Sequence, residues 1–138
     1  MNKRPRTSSR PRAIAARHAA RPLPQLRGRI GIEIGTRSAL TEAGADLLEQ
    51  IAISGSLSQA ARQLHLSYRW AWLLVDGMNR AWEKPLVLTA TGGRRGGGAT
   101  LTPLGRSVLA AYRHLQLELE YFLDQQSAPF RRALKSPE

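Results

Sequence analysis

Between Leu40 and Trp82 the apolar residues recur at helical spacing in three runs, and the breaks between the runs are only a few residues long. Connections that short force consecutive helices to pack on one another, so few folds remain open. The first run places Leu40, Leu47, Leu48, Ile51 and Ala52 on one face, with Glu42 and Asp46 near its N-terminal end, where the helix dipole favours acids. Gly55 is its expected stop. Ser56 and Gln59 then form an S-x-x-Q capping box ahead of Ala60, Ala61 and Leu64, which makes a second, short helix. Ser67 caps a third, whose positions Ala71, Val75, Met78 and Trp82 lie three or four apart. The small Ala60 and Ala61 allow the second helix to lie close to the third.

The flanks extend this core. Ile30, Ile32 and Ile34 alternate with Gly31 and Glu33, the period of a half-buried strand, so the folded region is expected to begin at Arg29. Leu86 to Ala90 is rich in strand formers and Ala99 to Thr102 answers it. The loop between them, Thr91 to Gly98, holds five Gly and two Arg, which predicts a hairpin with a basic tip. Thr102 as cap and Pro103 at the first helical position open a last helix, expected to run to about Leu123 and to stop before Pro129. Strand, three helices, hairpin and long helix, in that order, is the winged helix-turn-helix: mainly α with a small β-sheet. The expected organisation is a basic tail over 1–28, the winged domain with its C-terminal helix over 29–126, and a short C-terminal tail over 127–138.

Charge is divided unevenly along the chain. Of the formal +11, residues 1 to 29 carry nine Lys or Arg and no acid, whereas the remaining residues carry twelve bases against ten acids. The partner implied is a polyanion. No Cys is present, which excludes disulfides and thiolate metal sites, and no apolar run approaches the roughly 20 residues that cross a bilayer. Pro5, Pro11, Pro22 and Pro24 interrupt the basic segment, and little regular structure is expected there. An acid-free, Arg-rich start also resembles an organellar transit peptide, but nothing else in the chain supports its removal. Lys3, Arg4, Arg6, Arg10 and Arg12 are candidate phosphate contacts. Their two R-P-R steps lack the central Gly of an AT-hook core, so backbone attraction rather than base reading is expected.

A winged helix-turn-helix puts the N-terminal residues of its third helix near base edges in the major groove, while the wing follows the backbone or minor groove. The reading candidates are therefore Ser67, Tyr68, Arg69 and Trp70. Arg69 matters most, since a guanidinium either bonds guanine at two points or clamps a phosphate, and the sequence does not choose between these. Tyr68 and Trp72 also read as an extension of the core stripe, better than base contact in the case of Trp72; Trp70, one residue off the stripe, reads equally either way. Gln59 and Arg62 on the second helix are candidates for docking on phosphates, although a solvated face explains them nearly as well. In the wing, Arg94 and Arg95 supply charge while Gly permits close approach to DNA. Gly93 to Thr100 reads G-x-x-x-x-G-A-T, but Ala99 stands where a P-loop needs its phosphate-reaching Lys, and the loop leads into a strand rather than a helix.

Chemistry beyond binding has little support. His18, His65 and His114 have no carboxylate, Ser or second His at the spacing of a triad or metal site, so no enzyme activity, metal or cofactor is expected. The last helix repeats apolar residues near the coiled-coil period, with Val108, Tyr112, Leu115, Leu119 and Phe122 as candidate homodimer contacts.

The stretch I-S-G-S-L-S-Q-A-A-R-Q-L-H-L-S-Y-R-W-A-W, followed by D-G-M-N-R and by T-A-T-G-G-R-R-G-G-G-A-T-L-T-P-L-G, resembles the DNA-binding domain of ModE-type molybdate-responsive transcription regulators over about Arg29 to Leu123. S-Q-A-A and L-T-P-L-G are shared with LysR-type winged helices; S-Y-R-W-A-W, M-N and T-G-G-R-R-G-G-G-A together are more specific. The resemblance implies a dimeric bacterial protein of the cytoplasm and nucleoid that binds double-stranded DNA, reading with the helix that begins at Ser67. His65 departs from it, standing where such turns commonly carry Gly in left-handed backbone. The chain ends at Glu138, short of the C-terminal oxyanion-binding domains of full-length members, so no molybdate is expected to bind this chain. A sequence-indifferent nucleoid protein is the alternative, motivated by the charge of the tail.

Overall fold

A computed structural model describes residues 24–90 and 98–135. Its first hairpin pairs β1 (Ile32–Ile34) with β2 (Arg37–Leu40) across the Gly35–Thr36 turn. Thr41 caps α1 (Glu42–Ser54) by accepting from the Gly44 amide at 3.1 Å. The helix therefore starts after Leu40, which belongs to the strand instead, and Ala52 faces solvent rather than the core. Gly55 ends α1 with φ 67°, a left-handed conformation that glycine adopts without a Cβ penalty.

The capping residues expected from the sequence start the next two helices. Ser56 Oγ accepts from the Gln59 amide at the head of α2 (Leu57–Gln63), and Ser67 Oγ accepts from the Trp70 amide at the head of α3 (Tyr68–Ala81). Between them His65 takes φ 55°, the left-handed value a helix-turn-helix turn requires. Ala60 and Ala61 are fully buried between the helices of the motif, together with Leu47, Leu48, Ile51 and Ala71.

The second hairpin is β3 (Val87–Thr89) against β4 (Ala99–Leu101), with Leu88 opposite Thr100. Thr102 closes its base and opens α4 (Pro103–Gln126): its hydroxyl donates to Pro85 O at 2.7 Å and accepts from the Gly105 amide at 2.9 Å. Gly105 passes so close to the residue before β3 that a Cβ there would stand 2.1 Å from the Leu86 carbonyl oxygen. Arg113 on α4 bonds Asp46 at 2.9 Å and Glu49 at 3.1 Å, which ties the long helix to α1. Burial alone would lower the Arg113 pKa, but the Asp46 hydrogen bond and the Glu49 charge outweigh it and the net shift is upward.

Two features of the C-terminal half differ from expectation. Helix α4 continues to Gln126, and a further helix, α5 (Ala128–Ala133), follows it. Pro129 sits in the first turn of α5, where its missing N–H costs nothing, instead of acting as a stop. The chain just before β1 also packs on α4: Arg131 Nε donates to Pro24 O at 3.3 Å, and a Cβ on Gly28 would lie 2.8 Å from Leu119. The fold is thus a mainly α winged helix-turn-helix with a long C-terminal helix.

Candidate nucleic-acid interface

Helix α3 turns one face inward and leaves the rest to solvent. Ala71, Val75 and Met78 are buried on it. Its C-terminal end is held by side chains bonded to backbone: Trp82 Nε1 donates to Ala39 O at 3.1 Å, tying α3 to β2. Asn79 is more elaborate. Its Oδ1 accepts from the Leu86 and Val87 amides at 2.9 and 3.1 Å, and its Nδ2 donates to Val87 O at 2.9 Å. One amide group thereby fixes the last turn of α3 to the first strand of the wing. Sequence reasoning assigned Asn79 no such role, because the bonds run to backbone groups that no composition or period marks.

Ser67, Tyr68, Arg69 and Trp70 come together in the first turn of α3, and all four are exposed. Among the described residues no ion pair includes Arg69. Trp72 is 48% exposed, which corrects the expectation that it extends the core, and Tyr68, 58% exposed, does not extend it either: the buried face of α3 is formed by Ala71, Val75 and Met78. Gln59 and Arg62 are exposed on α2 beside the turn that leads into α3. Arg94 and Arg95 lie outside the described residues, as do Lys3, Arg4, Arg6, Arg10 and Arg12. The strands that carry the wing are also fixed at their loop end, where Ala90 N donates to Gly98 O and Ala99 N donates to Gly55 O, the latter at 2.9 Å.

The five candidate dimer residues divide. Val108 and Tyr112 are buried in the chain's own core, Tyr112 donating its hydroxyl to Ile30 O at 2.8 Å, so neither is offered to a partner. This corrects the expected seam: the half of α4 nearest the wing packs within its own chain. Leu119 is half-buried, and Leu115 and Phe122 are exposed beside Leu117 and Tyr121.

Among the described residues no helix is long and apolar enough to cross a membrane, and no group of three or more His, Cys, Asp or Glu could hold a metal ion.

No protein-family model matches the chain. Curated relatives do. The chain is 40% identical over 99 residues to "Molybdenum transport protein ModE" of Azotobacter vinelandii, covering 72% of this chain and 37% of that protein. It is 50% identical over 66 residues to "Molybdenum-pterin-binding protein MopB" of Rhodobacter capsulatus, covering 48% of this chain and 24% of the relative. Over a span of the same length it is 47% identical to "DNA-binding transcriptional dual regulator ModE" of Escherichia coli (strain K12), of which it covers 25%. The chain therefore spans between about a quarter and two fifths of the length of these relatives. Along about half to three quarters of its own length, the chain is a homologue of the molybdenum-related proteins named ModE and Mop, at 40–50% identity.

Proposed function

We propose that the chain is a sequence-specific, duplex-DNA-binding transcription regulator of the ModE type, acting in the bacterial cytoplasm within a molybdenum-related context. The observation that carries this reading is the exposed first turn of α3, with Arg69 presented to solvent on a helix whose other face is packed into a rigid three-helix body. The Escherichia coli relative, whose name includes DNA binding, supports the same reading. In this reading Ser67, Tyr68, Arg69 and Trp70 face base edges. Gln59, Arg62, Arg94 and Arg95 contact phosphates, and a second copy docks through the distal half of α4 to place two reading helices about one DNA turn apart.

Competition between a selected site and unrelated duplex tests it. A regulator is expected to prefer its site by about 10³ or more. Near-equal affinity would favour the second reading, a sequence-indifferent nucleoid protein, for which the nine basic residues and no acid over residues 1 to 29 are the supporting observation.

A further inference from the structure

Helix α3 exposes more apolar surface than phosphate binding calls for. Opposite its buried stripe, at i, i+4, i+7 and i+11, lie Arg69, Leu73, Asp76 and Arg80. Asp76 and Arg80 are joined at 3.1 Å and offset each other's charge, which leaves Arg69 as the charge of the first two turns. One turn beyond Arg69, ~6 Å along the axis, stands Leu73, 44% exposed, with Trp70 at 52% and Trp72 at 48% on either side. A leucine here has no hydrogen bond to offer a base edge and no charge to offer a phosphate. The apolar group that the major groove displays is the C5 methyl of thymine.

We infer that Leu73 is a specificity-determining residue that reads thymine through its C5 methyl, within about two base pairs of the group held by Arg69. Trp70 and Trp72 flank the contact and exclude water from it. The inference rests on the DNA-binding reading and adds to it the identity of a base. Because the contact is apolar, it adds selectivity without adding to the salt dependence that phosphate contacts impose.

The test starts from a site selected by the full chain out of random duplexes, with each thymine then replaced singly by deoxyuridine. That replacement removes the methyl group and leaves every hydrogen-bonding group of the base in place. Affinity is expected to fall about fourfold at one thymine of the site, with the salt slope unchanged. Leu73→Ala should lose a similar factor on the thymine site and nothing further on the deoxyuridine site, while Leu73→Met, which keeps the apolar reach, should retain the thymine preference. Wild-type protein that binds every deoxyuridine site as tightly as the parent would overturn the inference, as would Leu73→Ala protein that stays fully sensitive to the methyl. A Leu73→Ala change in oligomeric state with unaltered thymine dependence would also overturn it and assign the patch to a protein interface. If no preferred site is selected, the sequence-specific reading fails and this inference with it. A preferred site that relaxes on Arg69→Ala but ignores deoxyuridine overturns the inference alone.

Discussion

Arg69 and Tyr112 show how differently two side chains of one domain are used. Arg69 is exposed and outside the ion pairs of the described residues, so its truncation should leave the fold intact. Arg69→Ala is expected to weaken site binding by ~1–3 kcal/mol and to relax preference at one position, whereas Arg94→Ala with Arg95→Ala should weaken all sequences alike. Titration against a panel of single-base variants separates the two outcomes; equal weakening on specific and random DNA by Arg69→Ala would make it a phosphate clamp. Tyr112 is buried, and burial pushes its phenol pKa above the ordinary value; the Glu42 and Asp46 charges push the same way and Arg113 opposes them. The fold thus favours the protonated phenol. The stability it contributes is complete below the unfolded-state pKa of about 10 and is lost as pH rises through the higher folded-state value. Tyr112→Phe is expected to cost ~1 kcal/mol at neutral pH by removing the bond to Ile30 and to flatten this part of the alkaline decline. Urea unfolding of both proteins from pH 8 to 11 measures it, and parallel declines would show that another group governs the alkaline limit.

At the scale of elements, the starts of α2, α3 and α4 were the most legible part of the fold, because each of these depends on a hydroxyl placed beside a helical run: Ser56, Ser67 and Thr102 all accept the amide bond expected of them. Strand β2 was hidden because its burial does not alternate. Arg37 and Ser38 are exposed while Ala39 and Leu40 are both buried, so the apolar pair reads as the start of a helix. The outward face of α3 was legible only in its first turn; Leu73 escaped notice because a leucine at helical spacing reads as core until its exposure is known. Helix α4 illustrates the same limit, since one apolar series meets two environments along its length. Its proximal part packs on the body, while Leu115, Leu117, Tyr121 and Phe122 remain open. If these form the homodimer contact, Leu115→Glu with Phe122→Glu should yield a monomer at micromolar concentration, because two buried carboxylates would meet an apolar partner face. Sedimentation equilibrium checks this, with circular dichroism to show that the fold is retained; an unchanged mass would move the interface elsewhere.

For the molecule as a whole, the uneven charge is expected to separate affinity from selectivity. The contacts of Pro24 with Arg131 and of Gly28 with Leu119 set where the basic segment can be cut without disturbing the fold, so residues 1 to 22 are the piece to remove. Removing it is expected to lower affinity for specific and random DNA together and to leave the ranking of sites unchanged. The log-affinity against log-salt slope should flatten by ~0.9 for each phosphate that the segment neutralises. Identical slopes with and without the segment would remove it from binding, and a changed ranking would mean that it reads sequence.

Two glycines lie at opposite extremes of mutational tolerance. At Gly105 the Leu86 carbonyl leaves room for nothing larger than hydrogen, so a saturation library scored for folded protein should be empty of every other residue there, Gly105→Ala costing ~3 kcal/mol or more. At exposed Gly77 a Cβ meets nothing within 4 Å, and Gly77→Ala should raise stability by up to ~1 kcal/mol. Scored for DNA binding instead, the same library would reveal whether drift at position 77 is as free as the isolated chain allows: Gly77→Ala protein that is more stable yet binds more weakly would record how closely the backbone of α3 approaches the duplex.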